Sequence, residues 1–547
     1  MAMFYENFFR EEFDEKGMLQ SLTLSYPETY NFGYDVIDPM AVRYPDKLAI
    51  LWRDDEGREK RLTYGDLGRL SNQAANVLKS KGLQKGDVLL TALRCRWEYW
   101  VIAIAAHKLG LILAPASRLM TAEDFARRIR KAKIKAVVSL REGATPAHLR
   151  NAAEECGVKI RFSVQGAEAG YEDFGAALEK APAALERTAT RADEPMLLYF
   201  TSGTTGEPKA VLHDHVYTLA NHTGAHYFQD VHEGSLHFAT GDSGWEVCSG
   251  TKFYNHFLCN AALFIYDYDR FDAQKTLEQL ARARITSLMA QPTVYRQFTD
   301  VGMDQFDLSS VTCFAVGGEK LTRDLAAVVT RQTGRPLYEA YAQSETGIIA
   351  ANTKTLGSKE GSIGKILPKY HVELLKEDGT FAKPGEQGEI VIVADQGRRP
   401  AGLLMGYYED REATRRLWDG NYFHTGDLAV KDEDGFLFYR GRSDGLIKTK
   451  GYRVSPGEIE EALCRHPAVS ECLAVGIPDR DLGQRIQVFV RPAAGYRPTA
   501  ELAEELMGFH NTACAGFKKI RTLTFVEEFA RNANGKILRS RYRAGEK

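Results

Sequence analysis

The chain has little net charge of either sign. Across 547 residues, 71 Lys and Arg stand against 73 Asp and Glu, a formal charge of -2. That balance argues against a general nucleic-acid binder and against a polybasic membrane binder. No basic stretch leading into an apolar run opens the sequence, which begins MAMFYENFFREEFDEKG. A secretory signal is therefore not expected, and the expected location is the cytoplasm. Long apolar runs are also missing. The most apolar stretch, Tyr99 to Ala116, is split by His107 and Lys108 and broken again by Gly110 and Pro115. A membrane span needs about 20 apolar residues, so a helix followed by a buried strand is expected, with no integral membrane segment. Cysteine is sparse and scattered, at Cys95, Cys156, Cys248, Cys259, Cys313, Cys464, Cys472 and Cys514. No CxxC pair or zinc spacing occurs, so reduced cytosolic thiols are expected. Internal repeats and low-complexity segments are absent. The basic tail from Lys536 to Lys547 lacks interleaved aromatics beyond Tyr542 and reads as a solvated end.

What is present is ordinary globular material, 44% apolar and 26% charged. The length suggests roughly three to four domain-sized units. Helix-like patterns such as SNQAANVLKSKGL alternate with strand-like runs such as AVVSL and CFAVGG, which predicts an α/β fold. Between Asp432 and Pro467 the pattern becomes strand, turn, strand, then helix. Ser455-Pro456-Gly457-Glu458 predicts a capping box with Pro at the first helical position. Strand-like CLAVGI and IQVFVRP follow. A boundary is placed at Ser443–Gly445, where Asp-Gly favours a turn. It separates a large α/β domain of packed sheets and helices, residues 1–443, from a small α+β domain, residues 444–547.

The most informative stretch is YFTSGTTGEPKAVLHDH, Tyr199 to His215. Met196 to Phe200 reads as a strand end. Thr201, Ser202, Gly203, Thr204, Thr205 and Gly206 contain only glycine and small hydroxyls, and Lys209 follows after Glu-Pro. Such a loop can wrap backbone N–H groups and hydroxyls around phosphate oxygens, with the lysine adding positive charge. The Walker spacing is missing, so this is a different phosphate loop.

This stretch resembles the signature of the adenylate-forming (AMP-binding) superfamily, and further segments agree in family order. VGGEKL (Val316–Leu321) resembles the adenine-side loop, YEAYAQSETG (Tyr338–Gly347) the aromatic-Gly-Gln-Thr-Glu segment, and YFHTGDLA (Tyr422–Ala429) the ribose-binding strand end. GRSDGLIKTKGYRVSPGEIEEAL (Gly441–Leu463) resembles the hinge and thioester motif, and NGKILR (Asn534–Arg539) the catalytic-lysine motif. NFGYDVID and GDSGW lean toward the short- and medium-chain acyl-CoA synthetases. The resemblance implies ATP, Mg²⁺, coenzyme A and a small carboxylic acid as partners, with no nucleic acid. A carboxylate is a poor electrophile for a thiol, and acyl-adenylate formation installs a good leaving group. Such transfer is catalysed mostly by positioning and charge stabilisation.

The resemblance implies roles residue by residue. Thr201–Gly206 and Lys209 hold the β- and γ-phosphates, Ser344 contacts phosphate, and Glu345 helps hold Mg²⁺. Gly318, Glu319, Lys320, Glu339, Ala340, Tyr341 and Gln343 line the nucleotide, and Asp427 and Arg442 bind the ribose. Lys536 bridges the carboxylate and α-phosphate. Asp444 is the hinge. Lys450, Gly451 and Tyr452 meet CoA, and Arg453 either steadies that turn or contacts the nucleotide. Trp245 lines the acyl pocket with Gln291, Gly317 and Ala342, its alternative being core packing. Acetyl-CoA synthetases carry Trp in the segment corresponding to Tyr341-Ala342-Gln343, so Ala342 implies an acid larger than acetate.

The sequence departs from the family pattern at three places. The usual Leu-Pro-Lys-Thr ahead of the catalytic lysine is Phe529-Ala530-Arg531-Asn532, and loss of the proline is expected to loosen that segment. The second Asp of Arg-x-Asp-Asp is Gly445, expected to ease rotation. Leu482 precedes Gly483-Gln484 where an Arg is common, leaving Arg480 or Arg485 as the candidate CoA phosphate contact. GDSGW also echoes a serine-protease motif, but neither a triad nor a disulfide-bonded secreted chain accompanies it. The expected activity is ATP-dependent CoA ligation of a short- to medium-chain, branched or cyclic, monocarboxylic acid. The alternatives are transfer to a carrier-protein phosphopantetheine, a benzoate-type acid, or a nucleotide- or acyl-binding protein that has lost catalysis.

Overall fold

The computed structural model describes residues 4–141, 143–201, 209–319, 321–449, 452–480, 482–514, 516–531 and 537–543. The chain divides into two compact units. One comprises Met1–His371 and Ala394–Asn421, the other Val372–Val393 and Tyr422–Lys547. The residue pair 443/444 falls inside the second unit.

The helices of the first unit begin where local chemistry says they should. Thr63 accepts from the Asp66 N–H while the Asp66 carboxylate accepts from Thr63, which starts the helix Tyr64–Ser80. The same reciprocal cap, Thr121 with Asp124, starts Ala122–Ala132. Two sheets organise the unit. In the first, the parallel strands Pro195–Thr201, Ile112–Pro115, Val88–Ala92, Ala136–Ser139, Ile160–Ser163 and Glu172–Asp173 lie in that order. Lys209–Asp214 and then Gly406–Tyr407 add antiparallel at one edge. In the second, Leu337–Gln343, Cys313–Gly317, Ser287–Ala290, Leu236–Ala239, Ala262–Asp267 and Leu48–Asp54 run parallel. Gly347–Ala351 and Glu59–Thr63 add antiparallel on either side.

The apolar stretch noted in the sequence is the helix Trp97–Lys108 followed by the strand Ile112–Pro115. Every residue from Glu98 to Lys108 is buried. A helix this apolar belongs in a core, and its polar residues Glu98, His107 and Lys108 are paired there, Glu98 Oε1 receiving Arg96 Nη2 at 2.6 Å. His107 Nε2 meets Tyr254 Oη at 2.9 Å. Lys108 Nζ donates to Asp38 Oδ1 at 2.5 Å and to Asn72 Oδ1 at 2.7 Å. Among the described residues, no helix is long and apolar enough to cross a membrane.

The second unit holds an antiparallel sheet of Val372–Leu375, Gln387–Val393, Tyr422–Lys431 and Leu437–Arg442. A further sheet pairs Tyr452–Val454, Ile447–Thr449, Gly483–Pro492 and Val469–Asp479, with Ile520–Phe525 parallel to Gly483–Pro492. The helix predicted at Ser455 begins there, spanning Pro456–Leu463 with Pro in its first turn. The capping box is not formed. The Ser455 hydroxyl donates instead to the Arg440 carbonyl, and Glu458 receives Lys518 Nζ at 2.8 Å. The bond to Arg440 O orients the serine hydroxyl toward a remote strand, and no side-chain cap bond is made at this helix start.

Candidate functional site

Thr201 and Lys209 face each other as the last register pair of the hairpin formed by Pro195–Thr201 and Lys209–Asp214. The glycine-hydroxyl loop is therefore the connection of a hairpin. Ser202, Gly203, Thr204, Thr205 and Gly206 themselves lie outside the described residues. Gly406–Tyr407 pairs with the Lys209 strand, and this brings Tyr407 to two of the residues singled out in the sequence. The Lys209 ammonium lies 5.0 Å from the centroid of the Tyr407 ring, a cation–π distance. The Tyr407 hydroxyl donates to Glu345 Oε1 at 2.9 Å.

Behind Glu345, three consecutive backbone carbonyls are captured by groups from elsewhere in the first unit. His213 Nε2 donates to Ser344 O at 2.8 Å. Leu404 N–H donates to Glu345 O at 2.9 Å. Lys369 Nζ, at 2.8 Å, and Tyr370 Oη, at 3.2 Å, both donate to Thr346 O. Burial pushes His213 down to about 3, so its ring is neutral and its Nε2 carries the proton it donates. Burial likewise pushes the Lys369 ammonium down to about 7, opposed by nearby Glu246. Glu246 is buried and receives the Tyr217 hydroxyl at 2.6 Å. Burial raises its carboxyl to about 7. Gly347 closes the turn at φ +63°, and a Cβ there would fall 2.0 Å from Asn221 Oδ1. That atom is the one that receives Lys369 Nζ at 3.0 Å. Only glycine fits this position.

The residues expected near adenine and acyl group are also brought together. Gly317 is the register partner of Ala340 on the adjacent parallel strand. The buried Glu339 carboxylate accepts from Leu321 N–H at 3.3 Å, at the end of the Val316–Leu321 segment. Glu319 receives Thr293 Oγ1 at 2.6 Å; Lys320 lies outside the described residues. The Trp245 indole sits over two glycines. A Cβ on Gly318 would meet its Cη2 at 3.5 Å, and one on Gly241 would meet its Cε3 at 3.3 Å and Gln291 Nε2 at 3.7 Å. Gln291 Oε1 is held by Thr240 Oγ1 at 2.7 Å. On the strand Leu337–Gln343, Tyr341 is buried, Gln343 half-buried and Ala342 exposed. Ser243 of GDSGW is buried and donates to the Leu93 carbonyl, a structural role that leaves no nucleophile there.

In the second unit, antiparallel register sets Asp427 directly opposite Arg442. Arg442 Nη1 approaches Asp427 Oδ2 at 3.6 Å and donates to Thr425 O at 2.9 Å. The Tyr439 hydroxyl donates to Asp427 Oδ1 at 2.8 Å. Burial, then the Asp427 charge, pushes the Tyr439 phenol far up, so it stays a donor. Gly426, at φ +73°, donates to Glu389 Oε1 at 2.8 Å. Asp444 lies in the short 3₁₀ turn Ser443–Gly445, and Tyr452 and Arg453 in the strand Tyr452–Val454. Lys450, Gly451 and Lys536 lie outside the described residues. The segment expected to loosen ahead of Lys536 is anchored up to Arg531. Phe529 is buried, Ala530 N–H donates to Tyr542 Oη at 2.8 Å, and Arg531 reaches Glu471 at 2.6 Å. Arg480 and Arg485 are both exposed, Arg480 in the turn after Val469–Asp479 and Arg485 on the strand Gly483–Pro492.

Tyr407, Tyr439, His213 and Lys369 were not marked by the sequence. Each acts through a contact that only the fold creates, and no short motif records it.

The chain is similar to known proteins over nearly its whole length. Residues 38–408 match the AMP-binding enzyme family, and residues 458–536 match the AMP-binding enzyme C-terminal domain. The chain is 33% identical over 531 residues to human acyl-coenzyme A synthetase ACSM4, mitochondrial, covering 94% of this chain and 90% of that protein. It is 32% identical over 524 residues to 4-hydroxybutyrate–CoA ligase 1 of Metallosphaera sedula, covering 94% and 91%. In fold it is similar to an anthranilate CoA ligase solved with anthranoyl-AMP. The TM-score is 0.84 at 23% identity, with 95% of this chain and 98% of that one covered.

Proposed function

The chain belongs to the AMP-binding enzyme family, and from that premise we propose that it is an ATP-dependent acid–CoA ligase for a short- to medium-chain, branched or cyclic, monocarboxylic acid. A carboxylate oxygen attacks the α-phosphorus of ATP and pyrophosphate leaves, giving acyl-AMP. The CoA thiol then attacks the acyl carbon and AMP leaves. Mg²⁺ enters with ATP as part of the substrate, and the hard oxygens of a carboxylate such as Glu345 suit it.

The observation that carries this reading is the convergence of Lys209 and Glu345 on Tyr407 at the mouth of the glycine loop. A cation and an acidic Mg²⁺ ligand set beside a phosphate loop match what a magnesium–triphosphate requires. In this reading, Thr201–Gly206 and Lys209 hold the β- and γ-phosphates, with Ser344 adding a contact. The Gly318–Lys320 loop and the Glu339–Gln343 strand take the adenine side, and Asp427 and Arg442 take the ribose. Trp245, Gln291, Gly317 and Ala342 surround the acyl group. Lys536 neutralises charge where carboxylate meets α-phosphate. Asp444 begins the mobile domain, residues 444–547, and Lys450–Arg453 receive CoA. The enzyme is placed in the cytoplasm.

The test is pyrophosphate release over a panel of acids, with and without CoA. Expected is acid-dependent release whose turnover requires CoA, with acyl-CoA as product. Release without thioester, or transfer only to a phosphopantetheinylated carrier, would overturn it.

A further inference from the structure

Two thiols of the second unit lie outside everything assigned above. Cys464 closes the helix Pro456–Leu463, and Cys472 lies on the strand Val469–Asp479. Their sulfur atoms are 3.6 Å apart. Closing that gap to a disulfide bond of about 2.05 Å takes a shift of roughly 1.5 Å, within reach of small side-chain and backbone adjustments.

The proximity is built into the packing. The Cys472 thiol donates to Glu460 O at 3.4 Å, one turn upstream of Cys464. Glu460 Oε1 accepts from Ala474 N–H at 2.9 Å, two residues beyond Cys472. Arg539 ties both elements at the same level, reaching Glu460 Oε1 at 2.8 Å and Ala474 O at 3.2 Å. Helix and strand are thus pinned on each side of the sulfur pair. The connection between the two cysteines is short and fixed, with His466 N–H donating to Leu463 O and Val469 N–H to His466 O, each at 3.0 Å. The two thiols differ in access. Cys472 is buried at 7% exposure, and Cys464 is half-buried. The adjacent Cys464 thiol, with burial, pushes the Cys472 thiol well above the usual range. An oxidant therefore meets Cys464 first.

We propose that Cys464 and Cys472 form a reversible redox site that takes a low-molecular-weight disulfide as its oxidant and closes to an intramolecular disulfide within the native fold. The Cys464 thiolate attacks one sulfur of the oxidant RSSR, forming a mixed disulfide and expelling one RS⁻. The Cys472 thiolate then attacks Sγ of Cys464, forming the internal bond and expelling the second RS⁻. Each leaving thiolate takes up one of the two protons released by the cysteines. Two thiols are oxidised, one disulfide is reduced, and two RSH are formed.

The experiment uses the full-length native protein incubated with glutathione disulfide, alkylated, and digested with trypsin without reductant. Cleavage after Arg465 separates the two cysteines. The expected product is peptide 454–465 joined to peptide 466–480, lighter by two hydrogens than their sum and separated again by dithiothreitol. Cys464→Ser and Cys472→Ser should each abolish the joined peptide. Oxidation should also raise the melting temperature by several degrees, as closing a short loop does. Stable glutathionylation of Cys464 without closure would overturn the proposal. So would joining of either cysteine to Cys514, or a link that appears only in urea. The wild-type peptide map decides the matter even if a serine variant fails to fold.

Discussion

A phenol on a carboxylate recurs at two of the residues proposed for the site. Tyr407 donates to Glu345 in the first unit, and Tyr439 donates to Asp427 in the second. Each fixes the direction of an acid already implicated by its motif. Removing only the hydroxyl tests whether that direction counts. Tyr439→Phe should raise KM for ATP roughly tenfold, the scale of a hydrogen bond to a charged group, while kcat changes little. KM for the acid should stay put, which separates ribose positioning from general loss of structure. A uniform fall in kcat, with KM for ATP unmoved, would count against it. At the other end of the scale, Asp230 is a plain stability device. Burial works against its ionisation, but hydrogen bonds from His232 and Lys354 hold it down to about 2, below its ordinary 3.8. Its stabilising effect is complete above 3.8 and is lost as pH falls from there through about 2. Asp230→Asn should therefore flatten that part of the acid-unfolding curve and leave the neutral range nearly unchanged in slope, as measured by circular dichroism.

At the level of elements, the hairpin and the turn after Leu337–Gln343 set the first unit's site. Gly347 is the tightest point. Gly347→Ala must force a side chain into positive φ and against Asn221, at a cost of about 1–3 kcal/mol, read as a lower denaturant midpoint. The strand itself supplies a specificity test. Ala342 is exposed, and a larger residue there would fill space an acyl chain could occupy. Each buried methylene contributes about 0.8 kcal/mol, so the wild-type kcat/KM should climb roughly fourfold per carbon from acetate until the pocket is full. Ala342→Trp should move the optimum toward acetate and propionate. An unmoved profile, or a wild type that prefers acetate, would remove Ala342 from the pocket. These elements also mark how far sequence could reach. The strand before the glycine loop, the helix Trp97–Lys108, buried from Glu98 onward, and the helix beginning at Pro456 were legible, because periodicity and punctuation are local. Asp427 and Arg442 were named singly. Their pairing needed the register of two strands. The capping box at Ser455 failed for the same reason, since the partner that orients the serine hydroxyl, Arg440 O, is remote from the local pattern. The carbonyl clamp on Ser344–Thr346 was invisible, because its donors come from positions 213, 369, 370 and 404.

For the whole molecule, the division into units is not a single cut. The chain leaves the first unit after His371, returns at Ala394, and leaves again after Asn421. Tyr407, which meets both Lys209 and Glu345, belongs to the returning stretch. That connectivity dictates an order of assembly during synthesis. When Lys209 and Glu345 have both emerged from the ribosome, the tyrosine that joins them has not yet been translated. The strand Gln387–Val393 emerges in between and must wait for Tyr422–Lys431 before its sheet can close. The growing chain therefore carries an unfinished site in its first unit and, beyond it, a two-stranded piece of the second unit, Val372–Leu375 with Gln387–Val393, whose other edge is still open, and that open edge is a place for chaperones or misassembly to act during synthesis.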